Sequence, residues 1–371
     1  MAGSSIGTIL KLTTWGESHG AGIGVVVDGC PAGLPLSEAD VQAYLDRRKP
    51  GQSRYTTQRS ETDQAEILSG IYEGMTTGTP ISILVRNNDQ HSKDYSKLKD
   101  LYRPGHADFG YDMKYGIRDH RGGGRSSGRE TIGRVAGGAI AAKLLAELGI
   151  TVTAYTKSIG PVFAETFDSA EISRNPLCMP DASAAEMAAS YLEGCMEHHD
   201  SAGGVIECVV SGMPAGAGDP VFEKLDANLA KAVMSIGAVK AVEIGDGFLA
   251  AASTGSENND PFIIAPGESD TDEPRITKSA NHAGGILGGI SDGSDIIVRA
   301  AVKPTPSIAQ PQKTVTKDGR SIGLEITGRH DPVIVPRAVV VVECMTALTV
   351  ADALLTGMSA KLSSVKKVWE R

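Results

Sequence analysis

Two stretches of this 371-residue chain repeat one another at a fixed offset. Ser18-His19-Gly20 and the run Val25-Val26-Val27-Asp28-Gly29-Cys30-Pro31-Ala32-Gly33 line up with Ser201-Ala202-Gly203 and Cys208-Val209-Val210-Ser211-Gly212-Met213-Pro214-Ala215-Gly216, 183 residues later. Each copy reads as strand, turn and then helix. More weakly, Ile67-Leu68-Ser69-Gly70 and its following strand match Ile286-Leu287-Gly288-Gly289 and its strand. One such unit cannot bury its own apolar face, so two copies are expected to form related halves, about residues 1–150 and 200–360, that join into one body. Only the first copy keeps an imidazole, because His19 aligns with Ala202.

The pattern between the copies is α+β. Gly22–Asp28, Pro80–Arg86, Gly204–Val210, Asp295–Val302 and Ala338–Glu343 are β-branched runs bounded by turn residues, and each predicts a strand. Ser37–Arg48 opens on a serine and closes before Pro50-Gly51, which predicts a helix. Ser127-Gly128-Arg129-Glu130 and Ser183-Ala184-Ala185-Glu186 have the spacing of capping boxes in front of helices. Phe222–Ser235 and Leu348–Leu355 complete the helical set. Asn87–Ser126, Ser253–Gly284 and Lys303–Pro336 lack clear periodicity yet are rich in His, Arg, Asn and Gly. Loops longer than ~15 residues in a compact protein are functional or disordered, so the site is expected there.

Charge narrows the chemistry. A net charge of −9 argues against nucleic acid as a partner. Arginine is nevertheless gathered into two groups, six between Arg103 and Arg134 and an earlier set of Arg47, Arg48, Arg54 and Arg59. Clustered guanidinium groups in an acidic protein suit a small, multiply charged anion. For any single arginine, a solvated ion pair is the simpler reading. The five cysteines are scattered without a C-x-x-C pair, which suits buried thiols in a reducing compartment. No basic, apolar leader opens the chain and no run approaches ~18 uninterrupted apolar residues. The expectation is a cytoplasmic protein that spans no membrane.

Four motifs carry chemistry. Gly16-Glu17-Ser18-His19-Gly20 presents an imidazole in a glycine-flanked turn, and His gives or takes protons near neutral pH. A structural histidine in a tight turn is the alternative. Arg103-Pro104-Gly105-His106-Ala107-Asp108 sets a second imidazole beside an arginine, which would hold it neutral until an anion arrives. Arg121-Gly122-Gly123-Gly124-Arg125-Ser126-Ser127-Gly128-Arg129-Glu130-Thr131 has the logic of an anion cradle, with hydroxyls, guanidinium groups and free amides at a helix start. It is neither a P-loop nor a dinucleotide fingerprint. Ser127 also suits a plain helix cap. Asp331, in Gly328-Arg329-His330-Asp331-Pro332, is a carboxylate that follows directly on an Arg and a His. His198-His199-Asp200 lack ligand spacing, and no metal site is expected.

Taken together, residues 16–20, 46–59, 103–108, 122–131, 279–291 and 328–332 resemble, in order, the motifs of the chorismate synthase family. The resemblance runs from about Ile6 to Leu355. It implies a β-α-β sandwich of antiparallel sheets packed with helices, a single domain over residues 1–371 and a homotetramer. It implies a carbon–oxygen lyase of the shikimate pathway, acting on the small-molecule substrate 5-enolpyruvylshikimate 3-phosphate by 1,4-anti elimination of phosphate. Reduced FMN would be the cofactor without net redox change. By the same resemblance His19 protonates the leaving phosphate, His106 serves the pyrimidine edge of the flavin, Ser18 and Ser127 relay protons, and Asp331 works with flavin N5. Flavin contacts fall on Arg125, Ser126, Ser127, Gly237, Ala238, Gly288, Lys303, Pro304, Thr305, Pro306, Ser307 and Arg329. Substrate contacts fall on Arg48, Arg54, Arg103, Ser127, Arg129 and Arg329. Arg48 and Arg54 equally suit NADP, so NADPH is a candidate reductant.

The sequence departs from the family at Gly128, where Ala is frequent, and at His198-His199, in a region where a glycine is common. Both departures bear on local structure and leave the proposed catalytic groups untouched. Two other classes compete: a flavin-dependent oxidoreductase of a phosphorylated sugar acid, and an anion- or RNA-binding protein using Arg103–Arg134.

Overall fold

A computed structural model describes residues 3–56, 62–87, 98–266, 274–325 and 331–370. The first half builds one sheet from β1 (Lys11–Gly16), β2 (Gly22–Asp28), β3 (Ala65–Ile67) and β4 (Ile81–Arg86), ordered β1-β2-β4-β3 with a short edge strand at Ser5–Ile6. The second half builds another from β5 (Thr151–Ile159), β6 (Gly204–Ser211), β7 (Val239–Ile244) and β8 (Ile296–Val302), ordered β5-β6-β8-β7. All these pairings are antiparallel, and the two orders are the same when strands are numbered from the start of each half.

The correspondence extends to single hydrogen bonds. Thr76 Oγ1 donates to Pro31 O at 2.6 Å and accepts from Leu34 N at 2.9 Å. Ser291 Oγ donates to Pro214 O at 2.7 Å and accepts from Ala217 N at 2.9 Å. Pro31 and Pro214, like Leu34 and Ala217, stand at the offset of the sequence repeat. The weaker match needs correction. The hairpin Ile71–Tyr72/Met75–Thr76 is the counterpart of Ile286–Leu287/Ile290–Ser291, so Gly70 corresponds to Gly285 and not to Gly289. Similar Ile-Leu-Ser/Gly wording hid a register four residues away.

Helices fill the space between the sheets. α1 (Glu38–Arg48), α3 (Thr131–Glu147), α5 (Leu225–Met234) and α6 (Val335–Gly357) pack on one another and on the strands, while α2 (Asp108–Tyr115), α4 (Ala182–Glu197) and α7 (Leu362–Trp369) lie further out. Glycines set the spacing of α3. A Cβ on Gly137 would stand 1.9 Å from Leu12 Cδ1, and one on Gly138 would stand 2.2 Å from Cys344 Cβ of α6. The helix therefore touches the first sheet on one side and α6 on the other at backbone distance.

Helix α6 overturns one expectation, because Ala338–Glu343 is helix and not strand. Pro336 starts it, and its apolar run continues to Leu355 with residues buried all round, so strand periodicity is not a guide there. The helix cost of each valine, about 0.5 kcal/mol, is offset by burial of about 1.5–3 kcal/mol per large side chain. This 23-residue helix is long and apolar enough to cross a bilayer, yet most of its residues are buried by the protein itself. Its acid, Glu343, is buried and takes a two-pronged bond from Arg47 of α1 at 2.7 and 2.8 Å.

Two capping boxes also differ from expectation. α4 is capped by Asp181, which accepts from Ala184 N at 3.0 Å and ties back to Thr166 N at 3.0 Å, so Ser183 lies inside the helix. Ser127 accepts from Arg129 N at 3.3 Å, but Glu130 turns away to Thr14 Oγ1 at 2.9 Å and Arg134 Nε at 2.7 Å. The three aperiodic stretches hold α2 and the hairpins Phe262–Ile264/Ile276–Lys278 and Gln312–Val315/Ser321–Leu324.

Candidate active site

His19 sits in a turn between β1 and β2, closed by Gly20 N donating to Glu17 O at 3.1 Å. Ser18 is buried, and its Oγ lies 3.1 Å from His19 Nδ1. The arginine-glycine loop covers the ring. A Cβ on Gly122 would stand 2.5 Å from both Cε1 and Nδ1 of His19. That loop is less of an amide cradle than its sequence suggests. Ser126 N donates to Gly123 O at 2.8 Å and Ser127 N to Gly124 O at 3.2 Å, so successive tight turns consume these donors. The Arg125 side chain braces β1, donating to Thr14 O and Gly16 O at 3.1 Å each and to Thr14 Oγ1 at 2.6 Å.

Beside it lies a buried ionic cluster that joins segments far apart in sequence. Asp63, only 2% exposed and in left-handed backbone (φ 43°), stands 3.2 Å from Arg48 Nη2 and 3.2 Å from Arg129 Nη2. Burial pushes the Arg48 guanidinium down to about 10, with Asp63 opposing, so it stays charged at neutral pH. Burial likewise raises the Asp63 carboxyl against the pull of Arg48. Both shifts have one cause, loss of water around a paired charge. Arg337 of α6 donates to Arg48 O at 3.2 Å and to Asp331 Oδ2 at 2.6 Å, which brings Asp331 to the same cluster.

His106 occupies a second setting. Its Nδ1 lies 2.8 Å from Pro104 O, which can only accept, so Nδ1 carries the proton and Nε2 accepts from Ser307 Oγ at 3.1 Å. Burial first, then Arg103, holds this imidazole below its usual pKa. Arg103 is committed to Asp108 through Nε and Nη2 at 2.8 Å each. Asp108 falls to about 2, its burial outweighed by Arg103 and Arg118. Lys303 Nζ donates to Gly105 O at 2.7 Å, and Lys303 N to Ala238 O at 2.9 Å, so residues 303–307 clasp the His106 turn and reach Gly237-Ala238. The two settings are joined: Ser201 Oγ donates to Thr305 O at 2.7 Å, and neighbouring Ala202 N donates to Pro332 O at 2.9 Å, next to Asp331.

The remaining assignments divide. Arg54 is largely exposed, stacks over Tyr55 at 4.9 Å and pairs with Glu193. Gly288 lies at the tip of a hairpin with open space where a Cβ would be. The segment leading to it is fixed by Lys278, 1% exposed and bonded to Asp260 at 2.9 Å and Asp292 at 2.7 Å. Arg329, like Arg59 and His91, lies outside the described residues. Asp63, Asn87 and Arg337 are site residues that sequence reasoning missed. Each is an ordinary polar residue at a strand or helix end, marked only by contacts made across the chain.

A family profile described as chorismate synthase matches residues 10–355. The chain belongs to the chorismate synthase family. A chorismate synthase of Agathobacter rectalis is 61% identical over the whole of both chains. That of Chloroflexus aggregans is 54% identical, covering 98% of each. A crystal structure of chorismate synthase is 33% identical with a TM-score of 0.76, covering 98% of this chain and 97% of its own. Membership of this family makes the chain a carbon–oxygen lyase of the shikimate pathway that acts on a small molecule, and its α+β fold is the family fold.

Proposed function

We propose that this enzyme converts 5-enolpyruvylshikimate 3-phosphate to chorismate by 1,4-anti elimination, with reduced FMN bound and no net redox change. One ring carbon–oxygen bond to phosphate breaks, and one ring carbon–hydrogen bond breaks at the far end of the allylic system. The observation that carries this reading is the contact chain running from the His19 turn through Asn87, Arg129, Asp63, Arg48, Arg337 and Asp331 to the clasp around His106. It sets two imidazoles, a carboxylate and several guanidinium groups into one connected region, as proton transfer to a polyanion requires.

The residues present fit a flavin. The Thr305 hydroxyl oxygen is buried without a hydrogen-bond partner among the described residues, and Gly237 and Gly288 leave open space beside their backbones. Hydroxyls, an ammonium and guanidinium groups suit phosphate and pyrimidine edges. Ser126, Ser127, Gly237, Ala238, Gly288, residues 303–307 and Arg329 would hold the group, with Arg125 contributing from the backbone, since its side chain serves β1. When bound, reduced FMN lends electron density as phosphate departs and takes part in removing the ring hydrogen.

The protein's own groups do the rest. Arg48 and Arg129, with Arg329 and the outer side of Arg103, bind and orient the anions. His19, oriented by Ser18 at Nδ1, gives a proton to the departing phosphate oxygen. Asp331, held by Arg337, is the proton-accepting carboxylate, and Ser127 serves the relay. His106 keeps its proton on Nδ1 and faces Ser307 with Nε2. The same reading carries a homotetramer of one-domain subunits in the cytoplasm and no nucleic-acid partner, with NADPH a candidate reductant that Arg48 or Arg54 would suit as well as substrate.

His19→Ala and His106→Ala test the assignment. Each is expected to fold and bind FMN while losing roughly 100-fold or more of turnover. Near-normal activity in both contradicts it.

A further inference from the structure

Asn87, the first residue after β4, makes every hydrogen bond its side chain allows. Nδ2 donates to Glu17 O at 2.9 Å and to Gly20 O at 2.8 Å. Oδ1 accepts from Arg129 Nε at 3.2 Å and Nη2 at 2.8 Å. The partners fix the orientation of the amide. Carbonyl oxygens only accept and a guanidinium only donates, so turning the amide over would set four like groups against each other. Its backbone N–H donates to Ala21 O at 3.2 Å, which anchors the side chain to the end of the sheet.

Glu17 and Gly20 are the first and last residues of the turn that carries Ser18 and His19. Asn87 therefore straps that turn at both ends. With its other edge it grips Arg129, which pairs with Asp63 beside Arg48. One amide spans the gap between the imidazole turn and the guanidinium pair.

We propose that Asn87 is a positioning residue, setting the His19 turn in register with the anion-binding guanidinium of Arg129. The inference rests on the reading that His19 is the proton donor and that Arg129 binds substrate. Two unlike tasks meet in one side chain: the donor edge governs the imidazole, and the acceptor edge governs the arginine.

The edges separate by substitution. Asn87→Asp keeps the acceptor toward Arg129 and removes both donations to the turn. It is expected to leave KM for 5-enolpyruvylshikimate 3-phosphate within about threefold while kcat falls on the order of 30-fold, somewhat less than the roughly 100-fold that a 1 Å displacement of a catalytic group costs. A purely structural role would lower the amount of folded enzyme without splitting kcat from KM. Asn87→Ala, which loses both edges, is expected to lower kcat and raise KM together, and it serves where the aspartate impairs folding. His19→Ala is assayed in parallel. Normal kcat in Asn87→Asp or Asn87→Ala beside an impaired His19→Ala overturns the inference alone. Undiminished turnover in His19→Ala overturns the underlying reading and the inference with it.

Discussion

Gly122 covers the His19 ring at a distance that no other residue could match: a Cβ there would stand 2.5 Å from two ring atoms and 3.0 Å from Ser18 Oγ. Gly122→Ala must therefore push the imidazole aside or lift the loop. Displacement of a catalytic group by about 1 Å costs on the order of 100-fold in rate. Turnover of Gly122→Ala is expected to fall by that order with the chain still folded. Gly128→Ala is the matched control, since nothing lies within 4 Å of the added methyl. It should keep activity and gain up to about 1 kcal/mol of stability, read from denaturant midpoints.

Asp63 separates two guanidinium groups that would otherwise repel in a dry site. Asp63→Asn keeps the shape and removes the charge, leaving Arg48, 1% exposed, without its counter-ion. Breaking a buried pair from one side costs about 3–5 kcal/mol. Denaturation of the variant should show a loss in that range, and KM for the substrate should rise as the arginines move apart.

The lowered pKa of His106 has a sign that pH titration can read. Its ordinary value is 6.5, and the folded value is lower because of burial and Arg103. Between the two, the unfolded chain binds a proton that the folded chain does not. This group's contribution is therefore complete above pH ~6.5 and is lost as pH falls through the folded value. The slope of stability against pH below pH ~6.5 should be smaller in His106→Asn than in the unaltered chain.

Thr76 and Ser291 perform the same task in the two halves, each hydroxyl bridging a proline carbonyl and the amide three residues further along the chain. Thr76→Val and Ser291→Ala each leave a buried amide unsatisfied, at about 1–3 kcal/mol. The clamps belong to different sheets and share no partner, so the double variant should lose the sum, as shifts in denaturant midpoint will show.

Much of this was legible in the sequence, for local reasons. Gly22–Asp28 and Gly204–Val210 are β-branched runs between turn residues and are strands, and the 183-residue offset links hydrogen bonds as well as letters. The imidazoles of His19 and His106 stand in the turns their glycines suggest. What stayed hidden depends on tertiary contact. Ala338–Glu343 favours a strand by composition and becomes helix because the sandwich buries it all round. Asp63 and Asn87 look like ordinary turn residues, and their importance comes from Arg48 and Arg129, one 15 residues upstream of Asp63 and the other 42 residues beyond Asn87. The amides of Ser126 and Ser127 looked available to an anion because nothing local reveals that two tight turns close on them.

The central claim is a phosphate elimination that needs reduced flavin and consumes none. Anaerobic turnover with photoreduced FMN tests it most directly, following phosphate release and flavin absorbance together. Many phosphates released per flavin, with the flavin still reduced at the end, is the expected result. No phosphate release, or one flavin oxidised for every product formed, would contradict the account.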